Sequence, residues 1–316
     1  MNTIKAWLSA ARLRTLPLSV SGVIVGSSLG YYRYWILECF EISNYPSACY
    51  FEPIWKSIVF WLAIFTTIGF QVLSNFANDY GDGIKGTDDN RQGEQRAVAS
   101  GIISEKSMKR GMIITTIITL LIALLLIYTA FGDRNILMSI VFFGLGTLSV
   151  IAAIKYTVGK KAYGYSGFGD VFVFLFFGLL SVLGSYYLFT QDVFLDLLLP
   201  ATTIGFFSMA VLNLNNMRDI VNDKIHSKNT LVVQYGMRFA KKYHYILLIV
   251  GMLCAIIYTI SHYHAPLQFI YLLSFIPMLL NIKTVYKNEE PVLLDSELKK
   301  VALSTFAFAL LFSYMH

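Results

Sequence analysis

Charged residues are scarce in this chain, and their scarcity excludes a soluble globular protein. Asp, Glu, Lys and Arg make up only 14% of the 316 residues, whereas 56% are hydrophobic and the mean hydropathy is +0.60. Soluble domains carry about 25% charged residues. The composition therefore predicts an integral membrane protein.

Cysteine is also rare, with Cys39, Cys49 and Cys254 the three in the chain. No pair has the spacing of a zinc or redox motif, and the five histidines are scattered. Cys39 and Cys49 share an interhelical loop, where they could form a disulfide or remain free thiols; spacing alone does not decide. The sequence also has no Walker loop and no nucleophile elbow.

The excess of positive charge does not predict a nucleic-acid partner. The formal net charge is +6, but the cations stand in short clusters between apolar runs. This pattern is typical of the cytoplasmic loops of membrane proteins, whereas a nucleic-acid-binding protein concentrates its cations on one face. We expect membrane lipid around the chain and no bound nucleic acid.

Nine apolar runs divide the chain, each near the roughly 20 residues that a helix needs to cross the hydrocarbon core. The first run extends to about Tyr32 and has no clear cleavage site, so we interpret it as a retained span rather than a signal peptide. The other runs lie at about 57–78, 111–131, 135–155, 169–190, 194–215, 243–262, 266–286 and 301–315. The predicted fold is an all-α membrane bundle of nine transmembrane helices in one domain, residues 1–316.

The distribution of cations predicts the orientation. If the amino terminus is cytoplasmic, all but three of the 25 Lys and Arg residues fall on the cytoplasmic side. The three exceptions are Arg33, Lys56 and Arg134. This asymmetry supports nine spans with the amino end inside.

A polar motif follows the second apolar run, with the sequence Asn75-Phe-Ala-Asn-Asp-Tyr-Gly-Asp82. If the helix continues through Asp82, then Asn75, Asp79 and Asp82 share one face. Desolvated carboxylates are costly unless a cation compensates them. We expect Asp79 and Asp82 to bind a metal, with Asn75 and Asn78 in support. Gly81, Gly83 and Gly86 would let the chain turn out of the helix, toward a loop that carries Asp88 and Asp89.

A second motif follows the sixth run, with the sequence Asn215-Asn-Met-Arg-Asp-Ile-Val-Asn-Asp223. Asn215, Asp219 and Asp223 stand four residues apart, on one stripe if the helix is continuous. In both motifs an asparagine precedes the first aspartate by four residues. The echo suggests two related halves, roughly 1–155 and 156–316, whose second and sixth helices face each other across one site.

The residue types in the two motifs indicate Mg²⁺ and a diphosphate. Hard carboxylate and amide oxygens suit Mg²⁺, which takes one or two carboxylates together with phosphate oxygens. Either motif alone could be a solvated helix end, but two at one membrane face favour a functional site. Arg96, Arg218 and Lys155 are candidates to complete the anion site, with ordinary positive-inside flanks as the alternative.

Aromatic residues bracket a loop on the same side, including Tyr156 and Tyr163. Most membrane aromatics are interfacial anchors. A few that line a cavity could instead stabilise a carbocation through their π faces.

Taken together, these motifs resemble the UbiA superfamily of intramembrane prenyltransferases, over essentially the whole chain. The two acidic motifs carry the resemblance, together with Arg96-Ala-Val-Ala-Ser-Gly101. The branch that uses 1,4-dihydroxy-2-naphthoate in menaquinone synthesis is favoured by three further segments: Ala11-Arg-Leu-Arg-Thr-Leu-Pro17, Lys155-Tyr-Thr and Tyr163-Gly-Tyr-Ser-Gly-Phe-Gly-Asp170. The chain departs from its relatives at Leu13 and Ala97, where proline is frequent, and at Asp170, where glutamate is common.

The resemblance implies a nine-span bundle in the inner cell membrane, around a cavity open to the cytoplasm and to lipid. Catalytic roles fall on Lys155 and on the four aspartates that would hold Mg²⁺, namely Asp79, Asp82, Asp219 and Asp223. Substrate binding falls on Asn75, Asn78, Arg96, Asn215, Arg218, Tyr156 and Tyr163. The implied reaction joins a polyprenyl diphosphate to dihydroxynaphthoate with loss of CO₂, giving demethylmenaquinone and diphosphate. Two alternatives stay open, another acceptor such as 4-hydroxybenzoate and a membrane transporter.

Overall fold

The computed structural model describes residues 3–42, 52–87, 96–159 and 162–315. Within these ranges every regular element is a helix. Cys39 lies within the helix Leu16–Ile42 and not in the predicted interhelical loop, because the helix continues beyond the apolar run. Its side chain, Cys49, Asp88 and Asp89 lie outside the described residues, so the disulfide and the place of the two aspartates stay predictions. The helices are α1 Thr3–Ala11, α2 Leu16–Ile42, α3 Ile58–Ile84, α4 Glu105–Phe131, α5 Ile136–Lys155, α6 Gly169–Thr190, α7 Leu198–Arg218, α8 Ile220–Ile225, α9 Leu231–Ser261, α10 Pro266–Lys287 and α11 Asp295–Met315.

Eight helical segments in the described ranges are long and apolar enough to cross a membrane. They are α3, α4, α5, α6, α7, α9, α10 and the first segment, in which a short turn at Leu13–Thr15 separates α1 from α2. Helix α11 has 21 residues, of which four of the first six are charged, and it is not among these eight. The count of nine spans stays a prediction.

The surface of the bundle is apolar, as lipid requires. Helix α4, for example, exposes Ile113, Ile114, Ile117, Ile118 and Leu121, each more than half accessible. Such a surface would aggregate in water, but hydrocarbon tails solvate it. The exposed side chains therefore confirm the membrane character that composition predicted.

Helix α7 lies at the centre, packed against α2, α6, α9 and α11, while α3 packs against α4 and α5. Without a hydrophobic driving force in lipid, helices associate where small residues let their backbones approach. Gly22, Gly26 and Gly30 form such a stripe on α2, and an added Cβ at any of them would overlap atoms of α6. The middle of α6, Phe174–Gly184, is a π-helix.

The helix bounds differ from the predicted runs where polar residues continue a helix. The prediction that α3 continues through Asp82 is confirmed, since α3 ends at Ile84. Helix α9 begins twelve residues before the predicted run, because the Thr230 hydroxyl caps it by accepting from the Val233 amide. It contains one non-helical residue, Gly236, with φ of 81°. Hydropathy therefore located the apolar cores of these helices and missed their polar ends.

Candidate active site

Asp79 and Asp82 lie on the last two turns of α3 and are buried, with 1% and 5% of their surfaces exposed. Asp79 accepts hydrogen bonds from the backbone N–H groups of Ala97 at 3.2 Å and Val98 at 3.1 Å. Ala97 thus uses an N–H that a proline at this position would lack. Asp79 therefore fastens the segment after Arg96 to α3.

Asn75 lies one turn before Asp79 and holds the break between α1 and α2. Its side-chain amide donates to the carbonyl of Ala11 at 2.9 Å and to the Thr15 hydroxyl at 3.2 Å. At this break Arg12 adopts a left-handed conformation, with φ of 48°. A non-glycine residue seldom holds this conformation unless its surroundings impose it. Arg12 lines a cavity between the helices, so Asn75 fixes the backbone that directs the Arg12 side chain into this cavity.

The glycines of the first motif do not all serve the turn that the sequence suggested. Gly81 and Gly83 are helical, and only Gly86 has a positive φ, of 70°. A Cβ on Gly81 would lie 2.7 Å from the hydroxyl oxygen of Thr157. That hydroxyl donates to the carbonyl of Ala77 at 2.9 Å. Gly81 thus lets the segment after α5 lie directly on α3.

In the second motif, the helix is not continuous, because it is interrupted at Asp219. Helix α7 ends at Arg218 and α8 begins at Ile220, with Asp219 at φ of −93° and ψ of 7°. The amide of Asp219 still donates to Asn215 at 3.0 Å, and that of Asp223 donates to Asp219 at 2.8 Å. The three side chains therefore follow a kinked stripe.

Arg218 binds acidic and amide groups of the protein rather than lining the cavity. It forms a bidentate pair with Asp219, at 2.7 Å from Nε and 2.8 Å from Nη2. It also donates to Asn215 at 2.8 Å and pairs with Asp295 at the start of α11. A fork–fork geometry holds both ions in one orientation. Arg218 therefore compensates the buried Asp219.

Asp223 is 2% exposed and lies 3.5 Å from the ammonium of Lys228. The neighbouring Asn222 donates from its side-chain amide to the carbonyl of Thr87 at 2.9 Å. Thr87 follows the first motif, so this bond joins the two motifs directly. The predicted partnership of the two acidic motifs therefore has a physical contact in the structure.

A cavity of about 440 Å³ lies between the helices, with a polar end and apolar walls. Six of the predicted site residues line it: Asn78, Asp82, Arg96, Tyr156, Tyr163 and Asn215. Five lie outside its lining: Asn75, Asp79, Arg218, Asp219 and Asp223. The sequence therefore identified residues of both the wall and its support, without distinguishing them.

Lys155 lies elsewhere, at an apolar groove of about 750 Å³ between α5 and α6. Leu148, Leu175, Leu179 and Leu183 are among the residues that line this groove. Tyr163 and Phe172 line both the groove and the cavity. The two spaces therefore adjoin through an aromatic wall.

That wall is built from stacked rings. Tyr163 stacks on Phe172 with centroids 3.9 Å apart, and Tyr156 meets Tyr163 edge to face at 5.3 Å. The Tyr163 hydroxyl donates to the carbonyl of Ala152 at 2.8 Å. Burial raises the pKa of Tyr156 and of Tyr163 above the ordinary 10.0, so both phenols are neutral at physiological pH. Neutral rings present π faces that can stabilise a cation in the cavity.

Several polar residues at the site were not singled out from the sequence. Arg12, Gln71, Ser74 and Lys228 line the cavity. Lys85 donates to the carbonyl of Thr157 at 2.7 Å, and burial is the main cause that lowers its pKa below 10.5. Arg12 lies 63 residues before Asn75, and no spacing rule links residues so distant. Only their place in recognisable motifs could have suggested them.

The donor set fits a hard divalent cation. Asp82, Asn78 and Asn215 place carboxylate and amide oxygens on the cavity wall, and Asp79, Asp219 and Asp223 are buried outside its lining. No three acidic, histidine or cysteine side chains of the described residues converge as an all-protein cage. Mg²⁺ in proteins is bound through one or two carboxylates and takes its other ligands from phosphate and water.

Comparison with known proteins gives the family. The profile of the UbiA prenyltransferase family matches residues 47–294. This chain belongs to that family. It is therefore a multi-pass membrane prenyltransferase, and the family resemblance read from the sequence is confirmed.

Named relatives extend over nearly the whole chain. The 1,4-dihydroxy-2-naphthoate octaprenyltransferase of Escherichia coli is 37% identical over 309 residues, which cover 98% of this chain and 94% of the relative. The protein of the same name from Haemophilus influenzae is 38% identical over 311 residues, covering 98% and 95%. The UbiA prenyltransferase domain-containing protein 1 homolog of Drosophila melanogaster is 23% identical, covering 98% of this chain and 78% of its own length.

One solved structure supports the fold. It is described as "Structural and mechanistic insights into the biosynthesis of Digeranylgeranylglyceryl phosphate synthase in membranes", and it superposes with a TM-score of 0.55. The match covers 99% of this chain and 98% of that chain at 15% identity. At this identity the likeness shows the fold alone.

Proposed function

We propose that this protein transfers a polyprenyl group from polyprenyl diphosphate to 1,4-dihydroxy-2-naphthoate, with loss of the carboxyl group as CO₂. The observation that carries the proposal is a cavity lined by Asp82, by the cations Arg12, Arg96 and Lys228 and by aromatic side chains, beside an apolar groove. These are the surfaces that a diphosphate, a developing allylic cation and a long hydrocarbon tail require. The names of the relatives that are 37% and 38% identical support the choice of acceptor.

The diphosphate would bind at the polar end. Asp82 on the cavity wall and Asp79, Asp219 and Asp223 around it would hold Mg²⁺, in keeping with the donor set described above. When bound, Mg²⁺ supplies charge neutralisation that makes diphosphate a leaving group. The cations on the cavity wall, among them Arg12, Arg96 and Lys228, would stabilise the charge that remains on its oxygens.

In the reaction, the bond between the allylic carbon and the diphosphate oxygen breaks, and both electrons leave with the oxygen. The π faces of Tyr156 and Tyr163 would stabilise the allylic cation while the low-polarity wall keeps water from it. The ring carbon that bears the carboxylate attacks this cation. The bond to the carboxylate then breaks, and its electrons return to the ring as CO₂ leaves. This restores the aromatic ring with both hydroxyl groups in place, so that the immediate product is the quinol form of demethylmenaquinone.

The hydrocarbon tail would lie in the groove between α5 and α6, which is lined by leucine and aromatic side chains. Lys155 lines this groove, so it would contact the donor near its hydrocarbon tail and not at the aspartates. We further propose that the protein crosses the inner cell membrane nine times, with its amino terminus in the cytoplasm. The clustering of Lys and Arg supports this orientation.

A parallel transfer assay tests the proposal. Purified protein receives one polyprenyl diphosphate with either dihydroxynaphthoate or 4-hydroxybenzoate, with Mg²⁺ or with EDTA, and mass spectrometry identifies the products. We expect a prenylated, decarboxylated naphthalene product only with Mg²⁺. Product formed from 4-hydroxybenzoate and not from dihydroxynaphthoate would contradict the proposed acceptor. Transfer that is equally fast in EDTA would contradict the metal assignment.

A further inference from the structure

The hydroxyl of Tyr165 lies between the first acidic motif and the residue that follows it. It donates to Oδ1 of Asp82 at 2.7 Å and lies 2.8 Å from the hydroxyl oxygen of Thr87. An ionised carboxylate only accepts hydrogen bonds, so the single phenol proton points to Asp82 and the Thr87 hydroxyl donates to Tyr165. The two bonds fix the direction of the phenol and one oxygen of the carboxylate.

The ring of Tyr165 lies beside two ammonium groups. The Nζ atom of Lys85 is 3.9 Å from the ring centroid, and that of Lys228 is 5.7 Å from it. Both distances are within the range of cation–π attraction. Lys228 comes from the segment after the second motif and lies 3.5 Å from Asp223. The ring therefore lies near one cation that follows each motif.

The backbone of Tyr165 is also joined to the second motif. Its carbonyl accepts from the amide of Asn229 at 3.0 Å. Thr87, which donates to its hydroxyl, accepts from the side chain of Asn222 at 2.9 Å. One residue from the loop between α5 and α6 thus contacts Asp82 of the first motif and the segment that follows the second.

We propose that Tyr165 is a positioning residue that sets the affinity of the site for its divalent cation. The phenol engages one oxygen of Asp82 and thereby holds the carboxylate on the cavity wall, in the orientation that a metal needs. Hydrogen-bond partners of metal-binding carboxylates restrict their rotation, and their loss typically weakens metal binding or activity by roughly 10- to 100-fold. The inference rests on the proposed function, because it takes Asp82 as a metal ligand.

Tyr165→Phe tests the inference, since it keeps the ring beside both lysines and removes only the hydroxyl. EPR measures the binding of Mn²⁺ to the full chain in detergent, with inorganic diphosphate present. A transfer assay gives the Mg²⁺ concentration that half-saturates the reaction, for comparison. We expect both affinities to fall by roughly tenfold in Tyr165→Phe, with the KM for the acceptor unchanged. Tyr286→Phe, at a residue 72% exposed, is the matched control and should bind like the wild type.

The outcomes separate the two proposals. A wild-type chain that does not bind Mn²⁺ would refute the metal assignment itself. Wild-type affinity in Tyr165→Phe, beside a wild-type chain that binds, would overturn the role of Tyr165 alone. If Tyr165→Phe does not fold, Thr87→Val replaces it, because it removes the donor that orients the phenol and leaves the phenol present. We expect weaker Mn²⁺ binding there too, and unchanged binding would overturn the inference.

Discussion

Replacing Asp79 with asparagine should loosen a defined backbone segment as well as remove a charge. In the native chain the Asp79 carboxylate, 1% exposed, accepts from the amides of Ala97 and Val98. Asparagine keeps one acceptor oxygen and turns an N–H₂ group toward the other amide. A hydrogen bond to a charged group contributes about 1.5–3 kcal/mol, and a buried donor without an acceptor is costly. We expect Asp79→Asn to lower the free energy of unfolding by about 2 kcal/mol.

Two measurements report this loss. Hydrogen exchange followed by mass spectrometry should show faster exchange at Ala97 and Val98, while the transmembrane part of α3 keeps its protection. The Tm in detergent should fall by roughly 4–8 °C, from the scaling known for soluble domains. Transfer activity should also be lost, because the variant removes a metal-site charge.

A matched control is Asp133→Asn, which removes a carboxylate from an exposed turn between α4 and α5. It should leave exchange, Tm and activity unchanged. The reasoning would be refuted if Asp79→Asn kept native exchange at Ala97 and Val98 and a native Tm. Loss of activity under those conditions would show that Asp79 acts only through its charge.

Three further perturbations test other parts of the structure. Gly81→Ala should lower the free energy of unfolding by about 1–3 kcal/mol, because the added Cβ would lie 2.7 Å from the hydroxyl oxygen of Thr157. The control is Gly144→Ala, which has open space around its Cβ and should keep or raise the Tm. Leu175→Trp should fill the groove between α5 and α6 and raise the KM for a long polyprenyl donor several-fold. The KM for geranyl diphosphate should stay unchanged. Equal effects on both donors would place the tail elsewhere. Burial raises the pKa of Tyr163, so folding favours the neutral phenol. The stability that this contributes is fully present below pH 10 and is lost as the pH rises through the pKa of the folded state. Tyr163→Phe should therefore remove a step of tyrosinate absorbance above pH 10, and the loss of a step below pH 10 would contradict this.

The sequence by itself determined the membrane character, the helical class and the two acidic motifs. Each of these depends on local properties: apolar runs of bilayer length, and carboxylates spaced for one helical face. The motifs also resemble a known family, and the match over residues 47–294 confirmed that resemblance. The two related halves and the cytoplasmic amino terminus stay predictions.

Only the tertiary structure decided which residues line the cavity and which support its wall. Asp82 faces the cavity, whereas Asp79, one turn earlier on the same helix, fastens a distant segment. Arg218 resembles a phosphate ligand in sequence but pairs with Asp219 and Asp295. Tyr165 reaches Asp82 across 83 residues of chain. Local periodicity assigns a residue to a face, but its partner depends on which helices pack there, and that is a long-range property of the fold.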